Sequence, residues 1–227
     1  MGYDMYLIDE VPGEAEVLAA ATKKRDETLA ARDALAHEEP PSARYTAAQQ
    51  ALYAAVEEYD KARVSYFRLN AWGMSDYREH MTTLGMVKDP VEDHGWPERP
   101  EGLPRDVFLA LGDDGATPED RAQELWRRQY GDLVITPEHE RLYREYEKAE
   151  DAALRAHNPD VPGMTITKFR SNDGWIVTPE EITGALEMWE LAHPALKNKV
   201  RATAGDYWEQ WIDFLKTAAA GSGFRVY

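Results

Sequence analysis

The stretch Thr165–Glu181, TITKFRSNDGWIVTPEE, constrains the fold more than any other part of this chain. Two short β-favouring runs flank Asp173-Gly174, a dipeptide that supplies the positive backbone dihedrals of a two-residue hairpin turn. The second run leads into Thr178-Pro179-Glu180-Glu181, where Thr178 and Glu181 have capping-box spacing. Pro179 falls at the first helical position, which has no use for an N–H. The spacing predicts a hairpin over 165–178 and a helix directly after it. Asn172, Asp173 and Trp175 meet at the hairpin tip.

The same logic punctuates the rest of the chain. Residues 3–8 read as a short strand, and Gly223–Tyr227 as a last one. A helix is expected from Glu14 to His37, a break at Pro40-Pro41, and a second helix capped by Ser42. In that second helix Tyr45, Leu52, Tyr59 and Tyr66 recur every seven residues, with Ala48, Ala55, Ala62 and Leu69 interleaved. One narrow apolar seam results, and the two helices read as an antiparallel hairpin over 14–70. The seam serves either packing against the first helix or a homodimer. Thr117-Pro118-Glu119, Thr136-Pro137-Glu138 and Thr178-Pro179-Glu180 each mark a helix start. Apolar stripes follow on helices 137–157, 179–192 and 205–220. Residues 87–115, rich in Pro and acid, read as a surface loop. The expected fold is α+β and mostly helical, a single domain over 1–227. A small antiparallel sheet combines the terminal strands with the 165–178 hairpin, and helices cover one of its faces. Residues 164–227 form a hairpin, helix, helix and strand core segment.

Composition narrows the function classes. The net charge is −16, and the acid excess is concentrated in two segments. Residues 1–40 hold 10 acids against 4 bases, and residues 87–115 hold 8 against 3. A field of that sign repels nucleic acid and anionic membranes and favours basic protein partners. Carboxylates that imitate DNA should run uninterrupted along one face, whereas Lys23-Lys24-Arg25 breaks the first helix. No run approaches eighteen apolar residues, and the first residues lack the basic and apolar regions of a secretory signal. The expectation is a cytoplasmic protein. Without cysteine there is no thiolate nucleophile or thiolate metal site. The six histidines show no HExxH pattern, and no P-loop, GxGxxG or GxSxG occurs. Asp89, Asp93 and His94 cluster in the loop, but one histidine among solvated acids is a poor ligand set. No metal and no cofactor is expected.

Two places could carry a ligand. The Ser171–Trp175 turn could bind one with Trp175 as a stacking wall, or its Asn and Asp could only stabilise the turn. Tyr66–Met74, YFRLNAWGM, reads as a helix buried over most of its circumference. Arg68 and Asn70 would then need partners, with Asp4 and Asp173 as the available carboxylates. The candidate binding residues are therefore Asp4, Arg68, Asn70, Trp72, Asn172, Asp173 and Trp175, and no catalytic residue is identified.

The opening MGYDMY, the run YFRLN with Trp72-Gly73-Met74, SNDGW followed by VTPEE, and the closing GFRV resemble an uncharacterised group of actinobacterial and actinobacteriophage proteins. The resemblance implies a common sheet-centred core with the helical hairpin and middle loop as additions. It implies no activity. The function read from these features is a non-enzymatic interaction or regulatory protein, encoded by a phage or mobile element, with a protein partner. The alternative is a small-molecule-binding or hydrolytic protein with a pocket near Asn70, Asn172 and Asp173.

Overall fold

Strand β1, Gly2–Leu7, alternates Tyr3, Met5 and Leu7 toward the core with Gly2, Asp4 and Tyr6 on its other side. It is the first element of a computed structural model that describes residues 2–36, 42–88, 96–112 and 134–227. Helices α1 (Glu14–Asp33) and α2 (Ala43–Ala62) follow, then strand β2 (Tyr66–Asn70), helix α3 (Ala71–Thr83) and strand β3 (Val87–Lys88). Next come helices α4 (Arg105–Leu111) and α5 (Pro137–Arg155), strand β4 (Met164–Thr165) and a 3-10 turn over Ile166–Phe169. Strand β5 (Trp175–Val177), helices α6 (Pro179–Leu191), α7 (Pro194–Ala204) and α8 (Asp206–Ala220), and strand β6 (Phe224–Val226) complete the chain. The architecture is α+β and mostly helical, as the sequence pattern predicts. Among the described residues no helix is long and apolar enough to cross a membrane.

The chain, expected as a single domain, divides into two compact units, 1–90 with 157–227 and 91–156. The first unit holds a four-stranded antiparallel sheet in the order β2-β1-β6-β5. The two terminal strands are its centre, with Met5 opposite Val226. One face carries Met5, Phe67, Leu69, Val177, Phe224 and Val226, and α3, α6 and α8 supply most of the rest of that core. Its middle is aromatic. Trp211 stacks on Phe214 at 5.8 Å and meets Phe67 at 5.2 Å, and Tyr77 meets Trp208 at 5.2 Å. Rings of this size dominate the burial energy of a small core. The Tyr77 hydroxyl and the Trp208 and Trp211 indole N–H groups are buried there without a hydrogen-bond partner among the described residues. Each such orphan costs about 1–3 kcal/mol, which the surrounding apolar burial must offset.

Two local expectations are corrected. Tyr66–Asn70 is a strand, not part of a helix, so the helical hairpin spans 14–62 instead of 14–70. The alternation is of period two: Phe67 and Leu69 point in while Arg68 and Asn70 are exposed. The seven-residue seam of α2 runs only as far as Ala62, and α1 occupies it. Arg25 lies 4.4 Å over the Tyr59 ring, and Lys24 reaches Glu58 at 2.6 Å.

The 165–178 hairpin does not form either. β4 pairs in parallel with β3, and β5 alone joins the main sheet, beside β6. Asp173 does not adopt the positive φ that a two-residue turn of this kind needs; only Gly174 does, at 78°. The competing demand is Lys168. The 3-10 turn carries its side chain inward, where Nζ donates to the Ile176 carbonyl at 2.7 Å and to Glu181 Oε2 at 2.6 Å. The capping box at Thr178 and Glu181 is present as expected, and the same carboxylate serves both roles.

In the second unit α4 packs on α5, with Phe108 edge-on to Tyr146 at 4.8 Å. The segment 87–115, expected as a loop, contains β3 and α4 in its described part. The VFLAL run after Pro104 supplies α4 with apolar side chains that the surrounding prolines and acids obscure. Glu140–Arg144 and Asp151–Arg155 pair along α5 as the spacing predicts. Thr117-Pro118-Glu119, Asp89, Asp93 and His94 lie outside the described residues. Helix α7 has no counterpart among the expected elements; His193-Pro194 marks its start, with His193 Nδ1 accepting from Ala195 N at 3.2 Å.

Candidate functional site

The second face of the sheet follows from the strand registers. Antiparallel pairing sets Arg68 opposite Asp4 and Tyr66 opposite Tyr6 between β2 and β1. On the far side of β1, Tyr6 faces Arg225, and Asp4 exchanges two backbone hydrogen bonds with Tyr227, of 2.7 and 2.8 Å. Because side chains alternate, all six point away from the core. Two rows result, Arg68-Asp4-Tyr227 and Tyr66-Tyr6-Arg225. Gly174 lies beside the first row: a Cβ built there would meet Tyr227 Cε1 at 3.4 Å and Arg225 Nη1 at 3.7 Å.

The tyrosines form a ladder. Tyr6 lies 5.0 Å from Tyr66 and 6.1 Å from Tyr227 between ring centroids. Tyr6 is 41% and Tyr227 46% exposed, so these rings are presented to solvent. The Tyr66 hydroxyl donates a short hydrogen bond to Asp4 Oδ1, which Arg68 Nε also approaches at 3.5 Å. Arg63, just beyond α2, lies 3.7 Å over the Tyr66 ring. Three arginines, Arg63, Arg68 and Arg225, thus stand beside Asp4 and the tyrosine ladder.

Burial, and then the hydrogen bond to Asp4, push the Tyr66 phenol up from 10.0 to about 12. A raised folded-state value means that the contribution to stability is complete below about pH 10 and is lost as pH rises toward about 12. We expect the difference in phenolate absorbance between the wild type and Tyr66→Phe to appear late in an alkaline titration. A difference appearing at the value of an ordinary tyrosine would contradict this environment.

Four of the seven residues singled out from sequence meet at one end of this face. Asp4 and Arg68 pair across the strands, but as an exposed pair and not a buried one. Asn70 faces Gly2, and the Asn172 amide donates to the Gly2 carbonyl at 2.7 Å. Both asparagines are structural: Asn70 is the N-cap of α3 and accepts from Gly73 N at 2.7 Å, a contribution of about 1 kcal/mol. Asp173 is exposed beside the turn glycine. Trp72 stands free on the first turn of α3 at 84% exposure. Trp175 packs on the core, with Nε1 donating to Ser171 Oγ at 2.8 Å.

Tyr6, Tyr66, Arg225 and Tyr227 are absent from the sequence-based set. The signal was there. Period two in 2–7 and 224–227 places Asp4, Tyr6, Arg225 and Tyr227 on one side once both segments are strands. Comparison with protein-family models, with curated proteins and with solved structures finds no match.

Proposed function

We propose that this is a non-enzymatic interaction protein, acting in the cytoplasm, that docks a partner protein on the open face of its sheet. The observation that carries the reading is the exposed tyrosine ladder with Arg68 and Arg225 beside it. Tyrosine and arginine are the residue types that dominate binding energy at interfaces, because they combine large contact area with directed hydrogen bonds. Net charge alone favours a basic partner. The local chemistry favours an acidic segment instead, one whose carboxylates reach Arg68 and Arg225 while its apolar groups lie on the Tyr6 and Tyr227 rings. The alternative of a pocket near Asn70, Asn172 and Asp173 loses support, since both asparagines are engaged in holding backbone.

The test is a peptide library selected on the wild-type protein and re-assayed against an Arg68→Ser/Arg225→Ser variant with an unchanged melting temperature. Enriched peptides should be rich in Asp and Glu and should bind the variant at least about tenfold more weakly, as expected for lost charge-assisted hydrogen bonds. Enrichment of basic peptides, or equal binding to the variant, would refute the docking face.

A further inference from the structure

A separate cavity of about 240 Å³ opens where α2 ends and the first residue of β2 meets α8. Its floor is apolar: Phe67 and Phe214 are buried with ring centroids 5.8 Å apart, and Val64 adds to the wall. Its rim carries four charged side chains and an amide. Two of the charges are already satisfied, Lys61 by Glu57 at 2.6 Å and Asp213 by Lys216 at 3.0 Å. The other two, Arg63 and Asp60, have no ion-pair partner among the described residues. Arg63 is nonetheless held in place, its guanidinium 3.7 Å above the Tyr66 ring and 5.7 Å from Tyr59. A cation fixed by rings keeps its N–H donors available for an anion at little entropic cost. The amide of Gln210 completes the polar rim.

One positive group, one negative group and an aromatic floor describe a zwitterion with an apolar tail. We infer that this cavity binds a free apolar α-amino acid, its carboxylate on Arg63, its ammonium on Asp60 and its side chain over Phe67 and Phe214. The volume lies just under the range of drug-sized pockets, which suits a small metabolite. This site shares Tyr66 and Arg63 with the docking face, but Arg68 and Arg225, on which that face's test depends, do not line it.

Ligand-observed NMR and calorimetry on the full chain would test it with L-leucine, L-methionine and L-phenylalanine, and with 3-phenylpropionate and phenethylamine as the partners lacking one charge. At least one amino acid should bind, and each singly charged analogue should bind at least about tenfold more weakly. Arg63→Gln and Asp60→Asn should each weaken the amino acid by a similar factor. Asp60 is exposed, so its variant reports on binding even where Arg63→Gln lowers the melting temperature. Absence of binding by all three amino acids up to about 10 mM overturns the inference, since that limit leaves less than millimolar-range affinity. Equal binding of a singly charged analogue, or binding untouched by Asp60→Asn, overturns it as well.

Discussion

Glu181→Ala should cost about 3–5 kcal/mol, a large share of the stability of an ordinary domain. The carboxylate is fully buried and every lone pair is used. Oε1 accepts from the Thr165 backbone N–H at 2.9 Å and from its hydroxyl at 2.7 Å. Oε2 accepts from Lys168 Nζ at 2.6 Å and from the Thr178 N–H at 3.1 Å. One side chain thus ties β4, the 3-10 turn and the start of α6 together. Its removal leaves a lysine at 1% exposure without its counter-charge, and orphans two backbone donors as well. Lys168→Met should cost less, because three neutral donors still face the carboxylate. The double variant Lys168→Met/Glu181→Leu should recover part of the loss, since it buries no lone charge. Urea denaturation of the three proteins measures all of this. A loss below about 1 kcal/mol for Glu181→Ala would mean the pair does not organise the segment.

Gly223→Ala should be comparably severe, on the order of 3–5 kcal/mol. Gly223 has φ of 91°, and a Cβ there would sit 2.1 Å from the Val177 carbonyl oxygen, a backbone atom that cannot swing aside. Its N–H donates to Ala218 O and its carbonyl accepts from Ile8 N, each at 3.1 Å. Shifting it therefore loosens β6 from both of its neighbours. Gly205→Ala is the control. Its φ is also positive, at 63°, but nothing lies within 4 Å of the added carbon. That variant should lose only the backbone penalty of a region, φ 63° and ψ −153°, that glycine alone adopts freely, about 1–3 kcal/mol. Equal melting temperatures for the two variants would exclude steric conflict at Val177 as the cause.

Elements with a chemical start signal were legible in the sequence. Thr136-Pro137 and Thr178-Pro179 both open helices, and the strands at the two ends pair as expected. Failures arose where two patterns overlapped. Tyr66 and Leu69 continue the seven-residue seam of α2 and also fit a strand, and the sheet decides between them because Phe67 and Leu69 fill its core face. Asp-Gly at 173–174 is a sound hairpin signal in isolation, but burial of Lys168 against Glu181 bends the first arm into a 3-10 turn. No local pattern announces that pair, since Lys168 follows a β-like run and Glu181 has a capping role that explains it alone. The candidate face was half legible: Arg68 was reached through an expected helix that is a strand, and the tyrosines beside Asp4 and Arg68 required the strand registers.

Placing β1 between β2 and β6 also dictates when this protein can become itself. During synthesis β2 follows β1 within about 60 residues, but the other edge of β1 waits for β6, more than 200 residues downstream. Until then Met5 and Leu7 have only part of their cover, and nascent chains carry an unpaired hydrophobic strand edge. The sheet can therefore close only once β6 has been made, and this non-local pairing is the step expected to be slow.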